Sequence, residues 1–387
     1  MKNTLKAALV TLAGTAVLTL AAKPEIKLIH SGIVCDTVVD ALSPNGMAVN
    51  DRGEYLLTFQ DQGDNSPSAH SYLTISKDFG RTWSKPEIFL TPDHGKQGKA
   101  GTICNIPGST KMLMIVSKID YDSDSLDPYA WKSRLGTTEL YTTTTGKDLT
   151  YLTTLKQPKN AMVATMGYLT RLANGDLVLP AYIYSYGFPE EENAVYGSGW
   201  YRSTDNGKTW GDFELVFKDE KIDGRFKEAY NESAFAVRDD GIITGFARTD
   251  RNEPRRQFMV LSNDNGKTWS RPIPSGRLSV YIPLIVKLAD HEGHLMVGGW
   301  REAYNNCVSM LHSTDGIAWD LIGQAFYQPD NSHKPMNKAT GGVQAMVPGP
   351  EKHQYYVVFY THDPKLPGRH KTRLEGNMFE FVPDKQK

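Results

Sequence analysis

Apolar residues along this chain fall into short runs, joined in pairs by tight turns rich in Asn, Asp, Gly and Pro. The pairs are 46–50 with 55–59, 102–106 with 112–116, 168–172 with 177–182, 233–237 with 242–247, 282–288 with 295–300, and 342–347 with 355–360. Runs this short, flanked by turn formers, predict strands, and each pair predicts a hairpin. Six pairs recur at about 60-residue spacing and use up nearly the whole chain beyond its N-terminus.

A second repeat falls between the pairs. Ser76-Lys77-Asp78-Phe79-Gly80-Arg81-Thr82-Trp83 returns as Ser203-Thr204-Asp205-Asn206-Gly207-Lys208-Thr209-Trp210 and as Ser262-Asn263-Asp264-Asn265-Gly266-Lys267-Thr268-Trp269. A shortened copy runs from Ser313 to Trp319, and a decayed one from Thr143 to Asp148. In each, the Asp carboxylate can accept from turn N–H groups and Gly supplies a positive φ. The Trp is expected to pack beneath the turn. Periodicity at this length predicts a repeat architecture, here six four-stranded sheets set radially as an all-β, six-bladed β-propeller. The last sheet lacks the turn motif. Its third strand is expected at 373–381 and its fourth at 25–34, so that the N-terminal strand closes the ring.

This topology says where a site can form. The mouth of each inner hairpin, just before strand one and just after strand two, lies on the face opposite the Asp-Gly-Trp turns. Collected there are Asp61, Asp64 and His70 from blade 1, Lys118 from blade 2, and Tyr182 and Tyr184 from blade 3. Blade 4 gives Tyr230, Asn231, Glu232, Arg248 and Asp250; blade 5 gives Tyr281, Trp300 and Arg301; blade 6 gives Tyr360. Carboxylates, guanidinium forks and aromatic faces in one rim suit a carbohydrate bearing a negative charge. Glu232 and Arg248 flank one hairpin and are expected side by side.

Charge narrows the field. With 43 Lys plus Arg against 44 Asp plus Glu, the chain is no polybasic nucleic-acid binder. Lys2 and Lys6 precede an uncharged stretch from Ala7 to Leu20 that ends in Ala21-Ala22, the pattern of a secretory signal peptide. Cleavage near Ala22 predicts an exported, periplasmic or extracellular protein with one domain over 23–387 and no membrane span. Cys35, Cys104 and Cys307 are too few and too scattered for a disulfide framework or a zinc site, so no metal or cofactor is expected.

The repeated turn resembles the Asp-box, or BNR repeat, of the sialidase superfamily, and the resemblance runs through essentially all of residues 23–387. It implies a six-bladed propeller with an arginine triad for a substrate carboxylate, a Tyr nucleophile assisted by Glu, and an Asp acid/base. Asn231-Glu232-Ser233 and Gly245-Phe246-Ala247-Arg248 look like the segment from the assisting Glu to the second triad Arg, and Trp300-Arg301 like that of the third. Asp61 or Asp64 falls in the loop resembling that of the acid/base. The chain departs at two places, reading Ser43-Pro44-Asn45 where the first triad Arg stands and Ala339-Thr340-Gly341-Gly342 where the Tyr stands.

The expectation is a sialidase-like glycoside hydrolase, monomeric, acting on terminal sugars of acidic glycans. Glu232 with Asp61 or Asp64 would be catalytic; Arg248, Arg301, Lys118, Tyr182, Tyr230, Trp300 and Tyr360 would bind substrate. A uronate lyase on the same fold and a non-catalytic glycan-binding propeller are the alternatives.

Overall fold

The computed structural model describes residues 23–62, 68–93, 97–120, 136–159, 161–184, 195–251, 256–276, 278, 280–302, 305–327, 345–363 and 365–383; at 300–302, 305–307 and 325–327 it describes the backbone alone. Blade 1 comprises Leu42–Val49, Tyr55–Gln60, Ser71–Ser76 and Glu87–Leu90. Blade 2 comprises Gln97–Asn105, Met112–Asp120, Gly136–Thr143 and Thr150–Thr154. In blade 3 the inner strand is split into Met162–Thr165 and Thr170–Arg171, followed by Leu177–Tyr184, Tyr196–Ser203 and Phe213–Phe217. Blade 4 is Tyr230–Val237, Ile243–Thr249, Gln257–Ser262 and Ile273–Pro274; blade 5 is Val280–Lys287, His294–Glu302, Asn305–Ser313 and Asp320–Tyr327.

Blade 6 joins the two ends of the chain. Ala345–Pro348, Gln354–His362 and Thr372–Val382 are completed by Glu25–Cys35, which pairs antiparallel with Thr372–Val382. The six-bladed propeller and its closure are as the sequence predicts. A short hairpin of Lys221–Ile222 with Arg225–Phe226 stands outside the blades. Among the described residues no helix is long and apolar enough to cross a membrane.

The core is divided among the joints. Six buried clusters each draw on two neighbouring blades; Leu113 and Ile115 meet Leu177 and Leu179 between blades 2 and 3, and Phe246 and Met259 meet Val280 and Met296 between blades 4 and 5. Alternating side chains serve the two faces of every sheet, so each strand contributes to two joints. Cys35 and Cys104 are free thiols inside this core.

The repeated turns fasten the joints. Ser76 Oγ donates to Asp78 Oδ1 at 2.9 Å and accepts from Gly80 N at 2.8 Å; Thr82 N and Oγ1 donate to the same carboxylate at 2.8 and 2.6 Å. The turns at Ser203 and Ser262 repeat these bonds. Each glycine then lies on the preceding blade. Gly80 lies on Tyr356 of blade 6, Gly146 on Leu56 and Leu73 of blade 1, Gly266 on Trp200 of blade 3, and Gly316 on Ala236 and Arg238 of blade 4. The tryptophans follow: Trp83 packs on Tyr356, Trp269 on Trp200 and Trp319 on Phe246. These three reach the neighbouring blade, whereas Trp210 stays at its own turn, its Nε1 donating to Gly207 O at 3.2 Å.

Candidate functional site

The inner hairpin of blade 4 builds the centre of the site through a bulge. Tyr230 pairs with Thr249 and Ser233 with Ala247, so Asn231 and Glu232 together oppose Arg248. Two residues against one kink the strand and turn both side chains toward the same partner. Blade 5 is bulged at the matching place, where Tyr281 pairs with Gly299 and Leu284 with Val297. Ile282 there has φ 48°, and its N–H, released from the ladder, donates to Glu232 Oε2 at 3.0 Å.

Glu232 and Arg248 form the side-on fork that guanidinium geometry favours. Arg248 Nε donates to Oε2 at 2.6 Å and Nη2 donates to Oε1 at 3.1 Å. A second carboxylate, Asp250, accepts from Nη1. Tyr196 Oη donates to Asp250 Oδ2 at 2.6 Å, and Asn231 Nδ2 donates to both Tyr196 Oη and Asp250. The Arg248 guanidinium also lies 5.0 Å from the centre of the Tyr281 ring.

Burial works against the Arg248 charge, but adjacent Glu232 and Asp250 outweigh it and hold the guanidinium above its ordinary range. Burial, and then Asp250, push the Tyr196 hydroxyl well up, so it stays a neutral donor. Beside this cluster Tyr182 stacks with Tyr184 at 5.6 Å and lies 6.4 Å from the Tyr196 ring, so blade 3 supplies an aromatic wall.

The other predicted residues are distributed around the ring. On blade 1, Asp61 Oδ1 accepts from His70 N at 2.8 Å, and Oδ2 lies 3.2 Å from His70 Nδ1 and accepts from Tyr72 Oη at 3.3 Å. On blade 2, Lys118 Nζ donates to Glu139 Oε1 at 2.6 Å, and Tyr141 Oη donates to the other oxygen. Tyr360 is half-buried against the cluster between blades 6 and 1. Ser43 holds the blade 1 mouth with φ 46°, and Asn45 is turned inward to Gly101 O at 3.4 Å.

Tyr230 requires a correction. Its ring is buried between Phe217 and Phe258, at the joint of blades 3 and 4, and it borders a flank cleft of about 1140 Å³ with Arg202, Asp219 and Trp269. Its neighbours Asn231 and Glu232 turn the other way because the bulge begins immediately after it. Asp64 and the side chains of Trp300 and Arg301 lie outside the described residues. Among the described residues no group of His, Cys, Asp and Glu is placed to hold a metal ion.

Sequence reasoning passed over Tyr196, Glu139 and Tyr141 because it searched only the first two strands of each blade. Strand three also starts at the rim, directly across from the end of strand two, as Tyr184 opposite Tyr196 shows.

No protein-family model and no curated protein matches the chain. Solved structures do. A protein of unknown function from Dyadobacter fermentans superposes with TM-score 0.67 at 15% identity, over 93% of this chain and 100% of that one. An intramolecular trans-sialidase from Ruminococcus gnavus, solved with oseltamivir carboxylate, gives 0.60 at 10% identity over 92% and 98%. An α-L-arabinofuranosidase from Fusarium graminearum, solved with an iminosugar inhibitor, gives 0.57 at 13% identity over 92% and 98%. At these identities the likeness is one of fold: the chain is built as the sialidase-like propellers are.

Proposed function

We propose that this protein is an exported glycoside hydrolase that removes a terminal sugar from a glycan, with Glu232 as its reacting carboxylate. The observation that carries the reading is the double bulge, which brings Glu232 to the rim with two guanidinium N–H donors and the Ile282 N–H fixed on its oxygens. Both oxygens accept, as suits a base or nucleophile rather than a proton donor. The Asp-box character of the turns and the sialidases and arabinofuranosidase among the fold's neighbours support glycosidic chemistry. The exo-sialidase form of this reading has Arg248 and Arg301 gripping a carboxylate of an acidic glycan. Three of the five Arg248 N–H donors are already held by Glu232 and Asp250.

With Ala339-Thr340-Gly341-Gly342 where the sialidase resemblance calls for Tyr, Glu232 activates water directly. The leaving oxygen is protonated by Asp64, or by Asp61 once that carboxylate, whose oxygens accept from His70 N and Tyr72 Oη, has taken up a proton, and the anomeric configuration inverts. A panel of aryl glycosides of terminal sugars finds the substrate, and proton NMR of the fresh product reads the anomer; a retained configuration rejects direct water attack. Glu232→Gln is expected to lower kcat about 10²–10⁴-fold while the sugar still binds. A non-catalytic binding propeller is favoured by one feature, the closed Glu232–Arg248 fork, and no turnover on any glycoside alongside intact binding would select it. Export is checked by the N-terminus of the mature protein, expected near residue 23.

A further inference from the structure

The charge balance of the site carries the reading one step further, to the substrate class. Arg248 has five N–H donors, and Glu232 takes the Nε–Nη2 edge that a substrate carboxylate would use side-on. Asp250 takes a donor on Nη1. Among the described side chains, two carboxylates on one guanidinium leave this cluster with an excess of negative charge, in side chains only 12–20% exposed. A third carboxylate brought there meets repulsion that water screens poorly.

Two independent positions agree. Lys118, a blade 2 cation paired across the ladder with Lys99, is already bound to Glu139 at 2.6 Å. The blade 1 mouth presents Ser43, with Asn45 bonded inward to Gly101 O. What the described rim offers a ligand is a pair of stacked tyrosines, hydroxyl groups and carboxylate acceptors, the set that recognises a sugar ring through its faces and hydroxyls.

We infer that the sugar seated against Glu232 and Arg248 carries no carboxylate: it is an uncharged monosaccharide, and Arg248 positions Glu232 instead of anchoring an acid. This rests on reading the rim as a sugar site. Free monosaccharides, which the enzyme does not consume, test it by titration calorimetry on the wild-type protein: arabinose, galactose, fucose and rhamnose against glucuronate and N-acetylneuraminate. The best neutral sugar is expected to bind at least tenfold more tightly than either acid. Raising the salt is expected to strengthen binding of the acids and leave the neutral sugar unchanged. In Asp250→Asn the gap is expected to narrow at least threefold.

An acid that binds as tightly as the best neutral sugar, or a panel in which no neutral sugar binds, overturns the inference. The hydrolase reading is judged separately by aryl glycosides. Neutral-sugar binding without cleavage removes the hydrolase and keeps the inference, whereas cleavage of an aryl sialoside keeps the hydrolase and removes the inference.

Discussion

Arg248 is the residue on which the rim depends most. Its guanidinium holds two carboxylates that would otherwise face each other in a poorly hydrated space. Arg248→Ala is therefore expected to destabilise the fold by about 3–5 kcal/mol, because removing one partner of a buried ionic group strands the others. Urea unfolding midpoints measure this, and a loss below about 1 kcal/mol would mean that solvent reaches the cluster freely. Arg248→Lys is expected to rescue little of the loss, since an ammonium cannot reproduce a side-on fork while also reaching Asp250.

At the scale of elements, the glycine turns hold blade to blade by close approach. A Cβ at Gly80 would come within 2.3 Å of the Tyr356 ring, and the residue sits at φ +83°. Gly175 shares the backbone demand, at φ +93°, but a Cβ there meets nothing within 4 Å. Gly175→Ala is expected to cost only the left-handed backbone penalty of about 1–2 kcal/mol. Gly80→Ala should cost about 1–3 kcal/mol more, for overpacking. Equal losses by thermal denaturation would mean that the turn does not fasten the joint.

Such turns were legible in the sequence because their spacing is rigid: an Asp four residues before a Thr, with a Gly between, builds the same loop each time. Strand ends were not. The apolar run at 46–50 overlaps Leu42–Val49, and the run at 102–106 overlaps Gln97–Asn105. The ladder continues toward the rim through Ser43, Asn45, Lys99 and Lys118, polar side chains that hydrophobic patterning reads as loop. The residues that carry a site thus hide the strands that hold them. Glu232 beside Arg248 was foreseeable from hairpin geometry alone, whereas the extra residue of the bulge, and with it the outward turn of Tyr230, depends on packing against blades 3 and 5.

At the scale of the whole molecule, the turns link the ring's integrity to pH. Hydrogen bonds from the Thr209 side chain and backbone hold Asp205 down to about 2, and those from Thr268 do the same for Asp264. Burial acts the other way at Asp148, yet bonds from Thr144 and Thr145 still keep it low. These carboxyls bind protons less readily folded than unfolded, so their stabilisation is complete above about pH 4 and is lost as pH falls toward 2. The melting temperature is expected to be insensitive to these groups from about pH 5 upward and to drop cooperatively between about pH 4 and 2. In Asp264→Asn that acid limb should be shallower, and an unchanged limb would exclude the turn as its source.

Among the described residues, no such turn joins blades 5 and 6. Lys352 pairs with Asp290 there, and the His312 ring lies 5.0 Å from that of Phe381. At the opposite end of blade 6, the Asp40 carboxylate accepts from the N–H groups of Arg369, His370 and Lys371 at 2.6–2.8 Å, pinning the chain after the first strand to the loop before the last.

That first strand has a consequence for how the molecule comes into being. Glu25–Cys35 is synthesised before any blade, yet its partner, Thr372–Val382, is made after all the others. Leu28 and Ile33, still about half exposed in the finished ring, travel with an open edge until then. A ribosome stalled anywhere before residue 372 leaves an arc instead of a circle, and any chaperone or protease that recognises bare strands has a built-in test of whether the closing strand has been made.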